Sequence, residues 1–388
     1  MKNTVKIAVL ILVVIFGSCS YDKDDVRSGE YLSESASTGK SESDGGNNQG
    51  QSGLVTAGEW NDLDNWSFWN NILNEQEFSG MPAYWSFFTN NRISIMVNNQ
   101  GAPFVNAKVE LLRNETVIWS TRTDNFGKAE CWTGMFQKEN SVDLSSFKLK
   151  INNVLQNQEL VLFENGINQF NLNTTTNTLK RVEISFIVDA TGSMGDELEF
   201  LKEDLKSVID SVKLDDSNLE IYTATVFYRD EGDEYVVKKS AFTNNLNTTI
   251  NFINDQSASG GGDFPEAVHT ALNEGINNLQ WSETAKTRIA FLLLDAPPHY
   301  TTAIVNSIHG SIQLAAQKGI KIIPVTASGI DKQTEFLMRF MAILTNGTYV
   351  FITNDSGIGN DHLVASVGEY QVEHLNSLMV RLIKKYTD

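Results

Sequence analysis

Apolar runs alternate with helical patterns through the second half of this 388-residue chain. Residues 182–188 are almost continuously apolar, which is typical of a strand buried on both faces of a parallel sheet. After a polar turn, apolar residues recur at helical spacing from Leu198 to Val212. The pattern predicts an α/β domain over residues 179–388, with a doubly wound, mostly parallel sheet. Further strands are predicted at residues 219–228, 287–295, 321–326 and 349–353, and further helices at 266–279, 304–318, 334–344 and 369–385.

Side chains that carry oxygen follow several of these predicted elements. Asp189, Thr191 and Ser193 follow the first strand, and Asp295 ends the strand at 287–295. Asp263 follows three consecutive glycines and precedes a helix. Ligands of open α/β sheets bind beyond the carboxyl ends of the strands, where the strand order reverses. Carboxylates and hydroxyls without Cys or His favour a hard divalent cation.

The Asp-x-Thr-x-Ser motif, the Gly-Gly-Asp turn and the later strand-terminal Asp resemble the metal-ion-dependent adhesion site of von Willebrand factor type A domains. The resemblance covers about residues 180–388 and implies a nucleotide-binding-like fold. It implies Mg²⁺, or Mn²⁺ or Ca²⁺, near Asp189, Thr191, Ser193, Asp263 and Asp295. Asp263 replaces the usual threonine, so three carboxylates would surround a divalent ion and leave the site net negative. We therefore expect a tightly held ion that disfavours an incoming carboxylate.

Helix capping is a simpler explanation for part of this pattern. Ser193 with Asp196, and Asp263 with Glu266, both have the spacing of a capping box. Capping does not explain Asp189, which ends an apolar strand and is not placed to cap a helix directly. The same is true of Asp295.

An enzyme is the main alternative to a binding protein. Asp189 could accept a phosphoryl group, as in haloacid-dehalogenase-like phosphatases, but those enzymes need a second carboxylate at the position of Thr191. The sequence has no Ser-His-Asp order and no Walker loop. His299 follows Asp295 closely, and we expect it to pack at the rim of the site. We predict no enzyme, and a metal-dependent hydrolase or a structural module with an unoccupied metal site remain the alternatives.

Residues 57–178 are predicted to form an aromatic-rich segment followed by a small β-sandwich. Four of the seven tryptophans lie between residues 57 and 91, where they form either an exposed stacking platform or a brace packed on the sheet. From residue 92, alternating strand patterns separated by turn residues predict the sandwich. This stretch resembles a prealbumin-like or carboxypeptidase-regulatory-like domain, which implies a spacer or a protein-contact module.

The N-terminus has the pattern of an export signal. Residues 7–16 are apolar but too few to span a membrane, and small residues precede Cys19. This resembles the lipobox of bacterial lipoproteins, with residues 1–18 as signal peptide and a lipid on Cys19; an ordinary secretory signal is the alternative. Residues 19–56 are predicted to be a disordered tether, whose acidic start resembles the surface-export tag of Bacteroidetes lipoproteins. We therefore expect an exported outer-membrane lipoprotein exposed on the cell surface.

The charge of the chain limits its partners. Forty-eight acidic residues against 30 basic ones give a formal net charge of -18, which argues against nucleic acid as a partner. The sequence as a whole predicts a lipid-anchored protein of binding, adhesion or assembly with a divalent-cation site. Its partner is expected to be a protein or another cell-surface ligand, which the sequence does not identify.

Overall fold

The computed structural model describes residues 53–139, 141–175, 177, 179–215, 218–357 and 362–388. The predicted signal peptide, Cys19 and the rest of the predicted tether up to residue 52 lie outside these residues. The described residues belong to a compact unit that runs from Asn48 to Asp388. None of their helices is long and apolar enough to cross a membrane.

Before residue 180 the described chain is mainly β-structure. Its strands are β1 (Thr56–Trp60), β2 (Arg92–Asn99), β3 (Ala102–Pro103), β4 (Lys108–Arg113), β5 (Thr116–Arg122), β6 (Lys128–Trp132), β7 (Phe147–Ile151), β8 (Val154–Gln156) and β9 (Asn168–Leu172). Its helices are α1 (Trp66–Ile72) and α2 (Met81–Trp85).

After residue 180 strands and helices alternate. The strands are β10 (Arg181–Asp189), β11 (Glu220–Tyr228), β12 (Val237–Lys239), β13 (Thr287–Leu294), β14 (Ile320–Thr326), β15 (Tyr349–Ile352) and β16 (Glu373–His374). The helices are α3 (Gly195–Asp215), α4 (Leu246–Asn254), α5 (Val268–Leu272), α6 (Thr302–Lys318), α7 (Lys332–Leu344) and α8 (Leu375–Thr387).

One large sheet organises this half of the chain. Its strand order is β12-β11-β10-β13-β14-β15-β1-β16. The strands from β11 to β15 in this order run parallel to one another, whereas β12, β1 and β16 each pair antiparallel. The protein is therefore a mixed α/β protein with a mixed sheet. The chain moves from β10 to β11 on one side and later to β13 on the other, so the strand order reverses beside β10.

Alternate residues of the central strands pack into different cores. Ile184 and Phe186 of β10 belong to a cluster that includes apolar residues of α3, α4 and α8. Ile187 belongs to a second cluster with residues of α5, α6 and α7. A strand with both faces buried is apolar at most positions, which explains why five of the seven residues 182–188 are apolar.

Two predicted helices differ from the observed ones. The predicted helix at 369–385 begins only at Leu375, because Glu373 and His374 pair with β1 at the edge of the sheet. The predicted helix at 266–279 begins at Val268 and continues after α5 as a π-helix over Asn273–Asn278.

The strands predicted between residues 92 and 173 form two four-stranded sheets. In one, β2 lies between β3 and β6 and also pairs with β9, which runs parallel to it. The other has the order β5-β4-β7-β8 and is antiparallel throughout. Inward residues of both sheets, such as Ile95 and Val109, belong to the same buried cluster.

The aromatic-rich segment packs against α7. Trp69 stacks on Phe336 with ring centroids 5.5 Å apart, and Phe87 stacks on Phe340 at 4.0 Å. All four tryptophans of the segment are buried, so they form a brace and not an exposed platform. The sequence did not predict that β1, in this same segment, joins the large sheet between β15 and β16.

Candidate metal site

Asp189 and Asp295 lie at the same edge of the large sheet. Asp189 is the last residue of β10, and Asp295 directly follows the neighbouring parallel strand β13. The register pairs Val188 with Leu293, so the two aspartates are offset by a single residue along the strand direction. This edge is where the strand order reverses, as expected for a ligand site in an open α/β sheet.

The turn after β10 is held by hydrogen bonds to Asp189. Its Oδ1 accepts from the backbone N of Thr191 at 2.9 Å and from Thr191 Oγ1 at 2.7 Å. Thr191 Oγ1 lies 3.1 Å from Ser193 Oγ. Asp189 and Thr191 are fully buried, whereas Ser193 is exposed. A row of three oxygen-bearing side chains therefore leads from the strand end to solvent.

Both aspartates are buried carboxyl groups with an unused oxygen. Asp189 is 0% exposed and Asp295 is 4% exposed. Asp189 Oδ2 and Asp295 Oδ1 have no hydrogen-bond partner among the described residues. Burial raises the pKa of Asp189 to about 6. Burial, followed by the negative charge of Asp189, raises the pKa of Asp295 to about 7, although hydrogen bonding by Ser193 acts in the opposite direction.

Asp263 makes no hydrogen bond to this group among the described contacts. It is exposed, and helix α5 begins after Ala267 without a side-chain cap, so the predicted capping box of Asp263 and Glu266 is absent there. The side chain of Asp196, the partner in the other predicted capping box, lies outside the described residues. Of the five predicted ligands, the structure thus groups Asp189, Thr191, Ser193 and Asp295.

Glu266 is the acidic residue of the glycine loop that faces the aspartates. It is 2% exposed, and its Oε2 has no hydrogen-bond partner among the described residues. Burial, then the negative charges of Asp189, Asp230 and Asp295, raise the pKa of Glu266 to about 9. The sequence contained a signal for this orientation: Glu266 immediately precedes the apolar residues Ala267 and Val268, which face the core.

Tyr228 is a second neighbour that sequence reasoning missed. It ends β11 in register with Asp189 and is fully buried. Burial, and then the charges of Asp189 and Asp295, raise the pKa of Tyr228 well above its usual value. The phenol therefore stays protonated beside the carboxylates.

At the rim of the site His299 pairs with Asp230, and this pair makes no described contact with the buried oxygens of Asp189 and Asp295. His299 Nε2 lies 2.7 Å from Asp230 Oδ1, in keeping with the rim position expected for His299.

Across the described part of the chain, no three His, Cys, Asp or Glu side chains stand with the spacing of a metal site. The donors gathered here also include the hydroxyls of Thr191 and Ser193, and their chemistry fits a hard divalent cation. The unpartnered buried oxygens of Asp189 and Asp295 support that fit, since an ion would offset their repulsion.

A family comparison identifies this region. Residues 183–357 match the family model described as von Willebrand factor A domain. This part of the chain is similar to von Willebrand factor A domains. The matched residues include Asp189, Thr191, Ser193, Glu266 and Asp295, whereas β1 and β16 of the large sheet lie outside the match.

Two curated proteins are similar to this chain over a short stretch. An ariadne-like RING finger protein of Acanthamoeba polyphaga mimivirus is 34% identical over 119 residues, which are 31% of this chain and 11% of that protein. The alpha-protein kinase vwkA of Dictyostelium discoideum is 33% identical over 122 residues, which are 31% of this chain and 19% of that protein. The chain thus spans less than a fifth of the length of either relative.

Two solved structures resemble part of the chain. The conserved hypothetical protein BatB from Bacteroides thetaiotaomicron aligns with a TM-score of 0.36 and 15% identity, covering 53% of this chain and 98% of that protein. An aerotolerance-related membrane protein from Bacteroides fragilis aligns with a TM-score of 0.34, the same identity and the same coverage. Similarity at this level says nothing about what this chain binds.

Proposed function

We propose that this chain is a binding or assembly protein whose von Willebrand factor A domain holds a divalent cation at the carboxyl ends of β10 and β13. The observation that carries the proposal is the pair of unpartnered buried oxygens, Asp189 Oδ2 and Asp295 Oδ1, at one edge of the sheet. Two buried carboxylates that repel each other cost folding free energy unless a cation or protons neutralise them.

Four side chains are the core of the proposed site. Asp189 and Asp295 would contribute carboxylate oxygens, directly or through water, and Thr191 and Ser193 would contribute hydroxyl oxygens. A bound Mg²⁺, Mn²⁺ or Ca²⁺ supplies positive charge that joins the turn after β10 to the loop after β13. The exposed Ser193 lies on the solvent side of the group and would face an incoming partner.

A phosphatase-like hydrolase is less well supported. The position two residues after Asp189 would have to supply an acid or base, and it is occupied by Thr191, whose hydroxyl donates to Asp189 itself. His299 pairs with Asp230 at the rim. The remaining alternative, a structural module without an ion, is separated from the proposal by direct titration.

Isothermal titration of the intact protein with Mg²⁺, Mn²⁺ and Ca²⁺ tests the proposal. We expect one ion per chain for the wild type and at least about tenfold weaker binding for Asp189→Asn. Asp255→Asn, which changes an exposed carboxylate outside the site, is the matched control and should bind like the wild type. Absence of both heat and thermal stabilisation with all three ions would refute the metal site. Release of phosphate from a generic ester would favour the hydrolase.

We also propose that the protein is exported and anchored through Cys19 after removal of residues 1–18, with residues 19–56 as tether to the outer-membrane surface. The support is the sequence pattern alone. Labelling of cells with radioactive fatty acid should mark the wild type and leave Cys19→Ala unmarked. Label in the variant, or none in the wild type, would contradict the anchor.

A further inference from the structure

A surface cleft lies beside β1, near the edge of the large sheet that β16 forms. It encloses about 810 Å³ and is lined by the end of β1, the turns that follow it, residues 369–373 and two side chains of α8. This volume is typical of a small-molecule site, but such sites are mostly apolar, whereas most side chains of this cleft are polar. Strands β14 and β15 separate β1 from β13, so the cleft is distinct from the candidate metal site.

Tyr370 forms an exposed aromatic wall of this cleft. It is 44% exposed, yet its ring packs edge-to-face on Phe351 with the ring centroids 4.8 Å apart. A Cβ on Gly58 would stand 2.7 Å from Tyr370 Cδ2, so the ring occupies space that a side chain of β1 would otherwise fill. The ring is therefore fixed against the sheet although much of it faces solvent.

The segment that carries Tyr370 is held at both of its ends. Before it, Arg339 Nη1 donates to Ser366 O at 2.6 Å, and the N of Ser366 donates to Glu335 Oε1 at 2.7 Å. After it, β16 pairs with β1. A ligand that binds here meets a wall that is already ordered, so binding costs little conformational entropy of the protein.

Three polar side chains of the cleft are available to a ligand. Asp64, Glu369 and Gln371 are exposed, and their side chains make no hydrogen bond or ion pair among the described contacts. Arg381, by contrast, pairs with Glu59 at 2.8 Å, so these two charges neutralise each other. The available groups are thus mainly hydrogen-bond acceptors that stand beside one aromatic ring.

The lining disfavours several other kinds of ligand. Within the described ranges, no three His, Cys, Asp or Glu side chains are placed to hold a metal ion. Strand β16 has only two residues, which is too short an edge for pairing with an added peptide strand. The formal net charge of -18 disfavours polyanions.

A neutral ligand rich in hydroxyl groups matches the cleft best. Carboxylate and amide oxygens accept hydrogen bonds from hydroxyls, and the C–H face of a sugar ring fits the negative face of an aromatic ring. A smaller hollow of about 260 Å³ shares Asn61, Asp64 and Lys385 with the cleft and leaves room for more than one sugar.

We propose that this cleft binds a neutral oligosaccharide. The ring of Tyr370 stacks on one sugar, and Asp64, Glu369 and Gln371 hydrogen-bond its hydroxyls or those of the next sugar. This is a second binding function, and it does not depend on the proposed metal site.

Electrophoresis of the intact protein in native gels that contain soluble starch, xylan, glucomannan or mixed-linkage β-glucan tests the proposal. At least one of these polysaccharides should retard the wild type, and Tyr370→Ala should bind it at least about fivefold more weakly. Tyr370→Phe, which keeps the ring, should bind like the wild type. Val372→Ala is the matched control, because Val372 is an exposed residue of the same segment outside the lining.

Two results of these gels would overturn the proposal. One is a wild type that none of the four polysaccharides retards, and the other is equal retardation of the wild type and Tyr370→Ala. Retardation should persist in excess chelator, and its loss there would contradict a cleft that works without the metal site. If Tyr370→Ala does not fold, Glu369→Ala, which removes an exposed side chain, takes its place with the same expected direction.

A basic peptide is the competing occupant, because Asp64 and Glu369 are acidic. Titration with hexalysine at about 0.15 M salt should give no binding to the cleft. Hexalysine binding that Glu369→Gln abolishes, without retardation by any polysaccharide, would overturn the proposal in favour of a peptide site.

Discussion

Asp62 and Arg339 are 277 residues apart in the chain, yet their side chains form a buried, two-pronged ion pair. Arg339 Nη2 donates to Asp62 Oδ1 at 2.6 Å, and Arg339 Nε donates to Asp62 Oδ2 at 2.9 Å. Asp62 Oδ1 also accepts from the indole N of Trp60 at 3.0 Å. The pair joins the segment after β1 to the centre of α7, and so makes the aromatic-rich segment part of the fold of the α/β half.

Replacing Asp62 should destabilise the protein strongly. Asp62→Ala leaves the guanidinium of Arg339 buried with only part of its partners, and breaking such a pair costs about 3–5 kcal/mol of unfolding free energy. Asp64→Ala, which removes an exposed carboxylate two residues away, should change it by less than about 0.5 kcal/mol. Urea unfolding followed by circular dichroism measures both. Equal midpoints for the two variants would contradict a stabilising role of the pair.

The α/β half should not fold well without the aromatic-rich segment. Residues Thr334–Leu344 of α7 are all buried, partly under Trp69 and Phe87, and β1 pairs with β15 on one side and with β16 on the other. A fragment of residues 179–388 should therefore aggregate or unfold without cooperativity, whereas residues 53–388 should unfold in one transition. Thermal unfolding and gel filtration distinguish these results. A monomeric, cooperatively folded short fragment would show that the segment is dispensable.

His309 should make stability depend on pH. It is buried between Phe87 and Phe136, and its Nε2 lies 2.9 Å from Trp85 O. Burial lowers the pKa of His309 below 6.5, so the unfolded chain takes up the proton first as the pH falls. The stabilising contribution is therefore complete above about pH 6.5 and is lost as the pH falls through the lower pKa of the folded state.

Replacing His309 isolates its contribution to the pH dependence of stability. Between about pH 7.5 and pH 5.5 the wild type should lose more unfolding free energy than His309→Gln. The exposed His374→Asn controls for the loss of an imidazole as such. Denaturant unfolding at several pH values provides the measurement, and parallel pH profiles of the wild type and His309→Gln would count against the prediction.

Gly261→Ala should disturb the candidate metal site. A side chain at φ +71° is strained by about 1–2 kcal/mol, and its Cβ would displace Glu266 or Thr191. We expect a lower unfolding temperature and a smaller stabilisation by Mn²⁺. Gly262→Ala is the matched control, because a Cβ there meets no described atom within 4 Å. Thermal unfolding with and without Mn²⁺ tests the pair, and identical responses of the two variants would contradict the geometry.

Local periodicity explains which features of the fold could be predicted from the sequence. The apolar run of β10 and the helical spacing of α3 are patterns among residues close together in the chain, so both elements were predictable. The positions of Asp189 and Asp295 at strand ends were predictable for the same reason. The burial of Glu266 was not predictable, because Asp263 and Glu266 are only three residues apart and the packing of their loop decides which of them is buried. The start of α8 differs from the prediction for a related reason, since β16 forms only where β1 provides a neighbouring strand.

The sequence by itself thus determined the alternation of strands and helices, the export-like N-terminus and four of the side chains at the candidate site. These features depend on residues close to one another in the chain, whose apolar spacing and turn chemistry act locally. The tertiary structure alone decided that β1 enters the large sheet, that Asp62 neutralises Arg339, and that Glu266 faces Asp189 and Asp295. Such contacts join residues far apart in sequence. They depend on burial and charge balance in the complete fold, so no short stretch of sequence predicts them.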